Sequence, residues 1–320
     1  MLRSFLIYLS QAAWARKIVT SWSIAWKAAS RFIAGETLDD AINVVKKLNE
    51  KGINATLDHL GEHTTNPDEA RRATQDILKI LDAIQQTGVR SYVSIKLTQI
   101  GLALDASLCE DNLITILERA RQVGTYIRID MEDSPWVDKT LALYRKAHLE
   151  HGFEHLGVVI QSYLYRSEQD IHSLREECTG VRLCKGAYKE PPDVAFPKKK
   201  DVDANYDLLA RLMMDSALQR GCPQISDDGR IPPPPVFATH DEQRVINALN
   251  YAQQIGLPKK AMEFQMLHGI RRNLQEKLAA DGYPVRIYVP YGTEWYPYFI
   301  RRLAERPANL WFFVSNFFRR

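Results

Sequence analysis

The stretch YIRIDMEDSPWVDKTLALYRKAHLEHGFEHLGVVIQ, residues 126–161, decides the fold of this chain. It begins with a short run of β-branched and aromatic residues at 126–130 and ends with a similar run at 156–161. The segment between the runs is long enough for a helix, and Ser134-Pro135 has the residue types that open one. A strand, a helix and a second strand in this order indicate two parallel strands joined by a crossover helix.

The same alternation continues on both sides of this unit. Eight short apolar runs, each followed by a helical pattern, extend from about residue 53 to the end of the chain. They lie at 54–58, 92–97, 126–130, 156–161, 181–185, 236–240, 262–266 and 285–289. Eight such units predict an α/β protein whose strands close into a (β/α)8 TIM-type barrel. The alternative is an open doubly wound sheet, which usually carries a glycine-rich phosphate turn after its first strand. No such turn follows the run at 54–58.

The rest of the chain fits around this barrel, and we expect one catalytic domain over residues 1–320. An N-terminal helical segment is predicted at 1–36, the barrel at 53–306 and a tail at 307–320. The tail is rich in aromatic residues, and two interpretations of it stay open. It packs under the barrel mouth, which the usual burial of aromatics favours, or it contacts the membrane interface.

Local patterns give finer expectations. Thr37 and Asp40 have the spacing of a capping box, and Asn66-Pro67 has that of a helix cap followed by proline. Residues 189–203, which are rich in proline and lysine, should form a long loop. Residues 226–235 contain four consecutive prolines and should form an extended, exposed connector.

The composition excludes several classes of protein. A formal net charge of +3 over 320 residues is too small to indicate a nucleic-acid-binding protein. The four cysteines form no Cys-x-x-Cys pair, and no spacing of cysteine and histidine fits a structural zinc site. No stretch approaches the ~20 apolar residues of a membrane span. We therefore expect a reduced cytoplasmic protein without a metal ion, either free or held at the inner face of the membrane.

Polar residues end nearly all of the predicted strands, which is where such barrels carry their active sites. Lys96 and Asp130 end neighbouring strands, so we expect an ion pair between them. A purely structural layer of ion pairs inside the barrel is the alternative. The other strand-end residues that draw attention are Asp58, Gln161, Arg182, Lys185, Thr239, His240, Gln265, His268 and Tyr288.

The predicted helix after the eighth strand carries a second signal. Tyr298, Arg301 and Arg302 are spaced i, i+3 and i+4, so one face presents a phenol and two guanidinium groups. Glu305 lies four residues after Arg301, where it can hold their geometry. Two arginines at a barrel mouth are suited to bidentate binding of a carboxylate.

The strand-end motifs resemble those of the proline dehydrogenase family. They are SIKLT (94–98), RLCKGAY (182–188), ATHD (238–241), FQMLHG (264–269), YVPYG (288–292) and YFIRR (298–302). Two more stretches, RFIAGET (31–37) and TLDHLGE (56–62), resemble the monofunctional bacterial branch of the family. The resemblance covers nearly the whole chain, with the motifs in the family's order.

This resemblance implies a distorted (β/α)8 barrel that binds FAD non-covalently. It also implies oxidation of L-proline to Δ1-pyrroline-5-carboxylate, the first step of proline catabolism, with electrons passed to a membrane quinone. The product would then be carried on to glutamate by a separate pyrroline-5-carboxylate dehydrogenase.

The resemblance also implies roles for individual residues. Arg301, Arg302 and Lys96 would hold the proline carboxylate, while Tyr288 and Tyr298 would close around the ring. The catalytic residues would be Asp130, which stabilises Lys96, and Arg182, which favours the anionic reduced flavin. Glu62 would form a gate with an arginine of the last helix. The FAD contacts would come from Met131, Gln161, Arg182, Lys185, Gly186, Ala187, Thr239 and His240.

Two departures from the family pattern and two rival functions stay open at this point. Lys189 stands where many members have tryptophan, and Asp241 stands where many have asparagine, which leaves the packing of FAD in question. Lys96 at a strand end is also compatible with a Schiff-base aldolase. A non-catalytic barrel that binds small carboxylates would keep the same arginine pair.

Overall fold

The computed structural model describes residues 12, 14, 19, 23–61 and 64–305, and its centre is a closed barrel of eight parallel strands. The strands follow one another around the barrel in chain order, so the barrel prediction is confirmed and the open sheet is excluded. The strands are β1 (Asn54–His59), β2 (Ser91–Ile95), β3 (Ile127–Ile129), β4 (Leu156–Gln161), β5 (Gly180–Cys184), β6 (Pro235–Ala238), β7 (Glu263–Leu267) and β8 (Val285–Tyr291).

Helices connect consecutive strands and surround the barrel. Those among the described residues are α1 (Ser23–Ala29), α2 (Leu38–Glu50), α3 (Pro67–Thr87), α4 (Ala106–Val123), α5 (Val137–Arg145), α6 (Ser167–Glu176), α7 (Lys199–Gln219), α8 (Glu242–Ile255), α9 (Arg272–Ala280) and α10 (Trp295–Glu305). None of the helices in the described part of the chain combines the length and the apolar character needed to cross a bilayer.

Each strand presents apolar side chains to the surrounding helices and polar side chains to the barrel interior. Leu57 of β1 pairs in register with Val93 of β2, and both belong to the main apolar core. The alternate positions face the other way, and many of them carry buried polar groups. These are Thr56, Asp58, Tyr92, Ser94, Arg128, Arg182, Glu263, Gln265 and Arg286. Since branched apolar side chains usually fill such barrels, this interior is unusually polar.

The N-terminal end of the barrel is closed by the segment 226–235. Arg286 of β8 donates a hydrogen bond to the carbonyl of Gly229 at 2.7 Å. Arg230 donates to carbonyl groups at the ends of α3 and α4. Pro232 and Pro233 are buried. The prediction of an exposed connector is therefore wrong for these prolines, which cover the floor of the barrel instead of facing water, although Asp227 and Asp228 are exposed.

The outer ring of helices is completed by α2, which precedes the first strand. This helix packs against both β1 and β8, and its face of Ala41, Ile42 and Val45 is buried in the main core. The last helix, α10, lies elsewhere. It packs with α1 and with Leu60, the residue after β1, in a second apolar cluster. Helix α10 therefore lies at the mouth end of the barrel and not against the seam between β1 and β8.

The helix starts agree with the sequence at two places and differ at two. Thr37 and Asp40 form the capping box, and the side chain of Asn66 accepts from the backbone of α3 at 3.0 Å. Ser134 does not cap a helix in the same way, because its hydroxyl donates to Glu190 at 2.6 Å. A 3₁₀ turn follows, and α5 begins at Val137. The loop predicted at 189–203 ends earlier, where α7 begins.

Candidate active site

A cluster of charged groups occupies the mouth of the barrel. Lys96 at the end of β2 donates to Asp58 at 3.0 Å and to the Tyr288 hydroxyl at 3.4 Å. Its ammonium lies 3.5 Å from Asp130, so the predicted ion pair is confirmed. The Tyr288 hydroxyl in turn donates to Asp130 at 2.7 Å. The ammonium of Lys96 is therefore held between two carboxylates, and all three side chains are almost fully buried.

Arg182 of β5 reaches the same carboxylate. Its Nη2 donates to Asp130, and its Nη1 donates to Ser94 at 3.2 Å and to Gln265 at 3.3 Å. Its guanidinium carbon lies 5.5 Å from the centre of the Tyr288 ring. Asp130 thus connects the ammonium, the phenol and the guanidinium, which makes it the central residue of the mouth cluster.

The electrostatics of the cluster fix the protonation of its members. Burial raises the pKa of Tyr288 well above its ordinary value, and the carboxylates of Asp130 and Asp58 raise it further. The phenol therefore stays neutral and can act as a hydrogen-bond donor. Burial alone would lower the pKa of Arg182, but the charge of Asp130 outweighs it and raises the pKa above its usual range. Arg182 is consequently a permanent cation.

Next to this cluster, Gln161 at the end of β4 has an unused acceptor. Its Nε2 donates to the carbonyl of Met131 at 3.3 Å. Its Oε1 is buried and has no hydrogen-bond partner among the described residues. A buried carbonyl oxygen without a donor is unfavourable by about 1–3 kcal/mol. A bound group that brings an N–H donor would remove that cost.

The ends of β5 and β6 carry a second charged group. Lys185 donates to Asp203 at 2.5 Å and to Asp241 at 2.6 Å, and Lys199 contacts the same two carboxylates. Burial by itself would raise the pKa of Asp241, but the two ammonium groups lower it to about 2. Asp241 is therefore an ionised partner of Lys185.

The neighbouring Thr239 and His240 are oriented by the backbone. The N–H of Leu267 donates to Nε2 of His240 at 2.9 Å, so a neutral imidazole carries its proton on Nδ1. The hydroxyl of Thr239 accepts from the N–H of Asp241 at 3.1 Å, and Thr239 is buried. Both side chains are thus held at the mouth end of β6.

The loop after β5 approaches the barrel closely through Gly186. Its φ of 107° is a conformation that side chains rarely adopt, and an added Cβ would lie 2.3 Å from the ring of Tyr163. Farther along, Glu190 accepts from the N–H of Ser134 at 2.8 Å and from the Tyr163 hydroxyl at 3.2 Å. Glu190 therefore ties this loop to the loop after β3.

The predicted arginine pair lies on α10 at the same end of the barrel. The guanidinium of Arg302 lies 5.1 Å from the centre of the Tyr298 ring, so these two residues share a face as the spacing predicts. Tyr298 is buried, while Arg301 and Arg302 are partly exposed. Glu62, the side chain of Glu305 and the tail at 307–320 lie outside the described residues.

The structure thus assembles most of the strand-end residues into two groups. Asp130, Lys96, Arg182 and Tyr288 share direct contacts, and Lys185 joins the separate group that includes Asp241. The sequence had not assigned roles to Glu190 or to Gln265. Within residues 23–61 and 64–305, no three His, Cys, Asp or Glu side chains are arranged to hold a metal ion.

Comparison with known proteins gives one consistent answer. The family model described as proline dehydrogenase matches residues 41–314. The chain is 39% identical over 323 residues to proline dehydrogenase 1 of Bacillus subtilis, with all of both chains covered. It is 41% identical over 294 residues to proline dehydrogenase of Deinococcus radiodurans, covering 91% of this chain and 90% of that one.

A solved structure agrees with these relatives. Proline utilization A of Bdellovibrio bacteriovorus superposes with a TM-score of 0.78 at 26% identity, over 88% of this chain. This chain spans only 33% of the length of that protein. On the motifs, the barrel and these matches, the chain belongs to the proline dehydrogenase family, flavoprotein oxidoreductases whose reaction is the oxidation of proline to Δ1-pyrroline-5-carboxylate.

Proposed function

We propose that the mouth of this barrel binds L-proline against a non-covalently held FAD. The observation that carries the proposal is the cluster in which Asp130 joins Lys96, Tyr288 and Arg182 at the strand ends. It offers an ammonium and a neutral phenol on one side of a carboxylate, and a permanent cation on the other. Family membership supplies the reaction for which such an arrangement is suited.

In this proposal the carboxylate of proline is bound by cationic side chains. Lys96 contributes its ammonium from the barrel, and Arg301 and Arg302 contribute guanidinium groups from α10. Such anchoring fixes the orientation of the substrate, which can contribute a large part of a rate enhancement. Tyr288 and Tyr298 would enclose the apolar ring of proline.

The residues at the mouth fit the proposed cofactor. Gln161 presents a buried oxygen that lacks a donor among the described residues, and the imide N–H of an isoalloxazine is a suitable donor. His240 presents a proton on Nδ1. Met131, Lys185, Gly186, Ala187 and Thr239 complete the proposed FAD contacts. When bound, the flavin accepts the electrons of the oxidation, while Arg182 stabilises negative charge beside it.

Three wider features belong to the same proposal. Electrons would pass from the protein to a membrane quinone, and the product would go to a separate pyrroline-5-carboxylate dehydrogenase. The protein would then act in the cytoplasm, at the inner face of the membrane. The aromatic tail is one segment that could contact lipid, and liposome flotation with and without residues 308–320 would test that contact.

A single spectroscopic experiment tests the core of the proposal. The purified protein should show flavin absorption bands that bleach when L-proline is added without oxygen. A colourless protein that takes up no FAD, or bands that L-proline leaves unchanged, would refute it.

Substitution of the arginines tests the carboxylate contact separately. Arg301→Ala and Arg302→Ala should each raise the KM for proline at least about tenfold, since a charged hydrogen bond contributes about 1.5–3 kcal/mol. FAD should stay bound in both variants. Arg121→Ala, an exposed arginine on α4, is the control. An unchanged KM in both α10 variants would rule out the clamp.

The two rival functions receive less support. A Schiff-base lysine attacks as a neutral amine, whereas Lys96 lies between two carboxylates at 3.0 and 3.5 Å. A non-catalytic carboxylate-binding barrel would not need the buried donors and acceptors around Gln161. Membership of the proline dehydrogenase family also argues against both.

A further inference from the structure

The floor of the barrel contains a guanidinium that has no carboxylate partner. Arg128 of β3 is 0% exposed, and it makes no ion pair within 4.0 Å among the described residues. Its Nη1 donates to the carbonyls of Val158 and Gly180, but its Nε and Nη2 have no acceptor in the described part of the chain. Arginine cannot shed its charge by deprotonation. Its guanidinium lies over the ring of Tyr126, 4.9 Å from the ring centre, but no carboxylate among the described residues balances the charge.

A second donor without a partner lies beside it. The hydroxyl of Tyr126 is buried and has no hydrogen-bond partner in residues 23–61 or 64–305. It lies 2.0 Å, and Nη1 of Arg128 lies 2.5 Å, from the position that a Cβ on Gly157 would take. Burial raises the pKa of Tyr126 to about 12, so the hydroxyl keeps its proton. The absence of a side chain at Gly157 makes room for both groups.

The other charges among the described residues of the floor form pairs. Arg230 lies 3.7 Å from Asp228. Arg286 donates to Glu263 through Nε at 2.9 Å and through Nη2 at 3.0 Å, and both side chains are 0% exposed. The side-chain Nε2 of Gln265 also donates a hydrogen bond to the carboxylate of Glu263, at 2.6 Å. Among the described residues of the floor, Arg230 and Arg286 thus each have a carboxylate partner, and the excess positive charge lies on Arg128.

We propose that the barrel floor binds one small monovalent anion, such as chloride, at the Nε and Nη2 edge of Arg128, beside Tyr126. Arg128 offers three unused N–H groups, and the hydroxyl of Tyr126 offers one O–H group. A water molecule could accept from the guanidinium and donate to the phenol oxygen, but it would leave the charge unbalanced. An anion accepts from the unused N–H groups and also neutralises the guanidinium. The inference does not depend on the proposed function, because the floor lies below the mouth cluster.

Bromide, which replaces chloride and scatters anomalously, gives the direct test. Crystals of the purified protein grown with bromide should show an anomalous peak within hydrogen-bond distance of Nε or Nη2 of Arg128. Water density without an anomalous peak at this place would overturn the proposal.

Thermal unfolding gives a test in solution. An anion that binds only the folded state stabilises it in proportion to the logarithm of its concentration. The melting temperature should therefore rise with sodium chloride relative to sodium gluconate at the same ionic strength. Equal melting temperatures in the two salts would contradict the site.

Variants locate the effect. Tyr126→Phe keeps the ring and removes one donor, so the apparent chloride affinity should fall about tenfold. Arg128→Met should abolish the chloride effect. Arg121→Met is the matched control, because Arg121 also lies over an aromatic ring, at 5.3 Å from the centre of Phe153, but is exposed. If Arg128→Met does not fold, Tyr126→Phe and the bromide peak still decide, and an unchanged chloride affinity in Tyr126→Phe counts against the site.

Discussion

The buried ion pair between Glu263 and Arg286 gives the sharpest test of the polar barrel interior. Both side chains are inaccessible to solvent, and two N–H groups of Arg286 donate to the carboxylate at 2.9 and 3.0 Å. Nε2 of Gln265 donates to the same carboxylate at 2.6 Å. In the wild-type protein the Glu263 carboxylate accepts hydrogen bonds from three N–H groups. In Glu263→Gln one of its oxygens becomes an NH₂ group, a donor that would face these other donors.

The magnitude follows from the complete burial of the pair. Removing one member of a buried pair typically costs about 3–5 kcal/mol, because the other charge is left uncompensated. We expect the free energy of unfolding to fall by that amount. The matched control is Glu276→Gln. Glu276 pairs with Lys51 at 2.7 Å, but the two side chains are 52% and 59% exposed. Exposed pairs contribute little, so we expect no resolvable change in this control.

Urea unfolding followed by far-UV circular dichroism measures both effects, and a double-mutant cycle with Arg286→Met isolates the coupling between the two residues. The coupling should be about 3 kcal/mol or more, since neither charge can reach water. If Glu263→Gln and Glu276→Gln unfold at the same urea concentration, the buried pair does not hold the barrel floor, and our reasoning about its interior fails.

Three further predictions concern acid stability, a loop contact and a close approach. Burial, helped by the charge of Arg272, lowers the pKa of His268 to about 4. The unfolded chain therefore takes up this proton near pH 6.5 and the folded protein only near pH 4, so stability is lost as pH falls between these values, by about 1.4 kcal/mol per unit. Urea midpoints at pH 7 and pH 5 should show a smaller loss in His268→Gln, and equal losses would contradict the assignment. Glu190→Gln should weaken FAD binding about tenfold, because it loosens the contact between two mouth loops. Flavin fluorescence measures the affinity, and Glu168→Gln, at an exposed position, is the control that should leave it unchanged. Equal affinities in the two variants would show that the loop contact does not support FAD binding. Gly157→Ala should destabilise the protein by about 1–3 kcal/mol or more, because the added methyl group would lie 2.0 Å from the Tyr126 hydroxyl. Gly61→Ala is the control in the same thermal melt, because no atom lies nearer than 3.5 Å to its added methyl group. Equal melting temperatures of the two variants would refute the predicted clash.

The strands could be predicted from the sequence because their pattern is local. An apolar run such as 156–161 is visible without knowing its neighbours, and the observed β4 has the same bounds. The floor could not be predicted in this way. Four prolines usually indicate an exposed segment. The contacts that hold these prolines over the floor join residues far apart in the chain, such as Arg286 to Gly229 and Arg230 to the ends of α3 and α4.

The candidate site likewise contains residues that a local pattern predicts and residues that it does not. Lys96 and Asp130 follow neighbouring strands, and the geometry of parallel strands was enough to expect them together. Tyr288 lies inside β8, and only the family resemblance had given it a role in the site. Glu190 lies in a loop without periodic pattern, so its contacts with Ser134 and Tyr163 carry no signal in the sequence. Gln265 was noticed at a strand end, but its amide orientation depends on Glu263, two residues earlier on the same interior face.

The position of α2 against both β1 and β8 has a consequence for biosynthesis. This helix leaves the ribosome before any strand, yet it packs against the last strand made as well as against the first. Until β8 emerges, the apolar face of Ala41, Ile42 and Val45 has only part of its partner. Such late, long-range pairing slows folding and exposes apolar surface to aggregation, so the nascent chain should depend on chaperones until translation reaches β8.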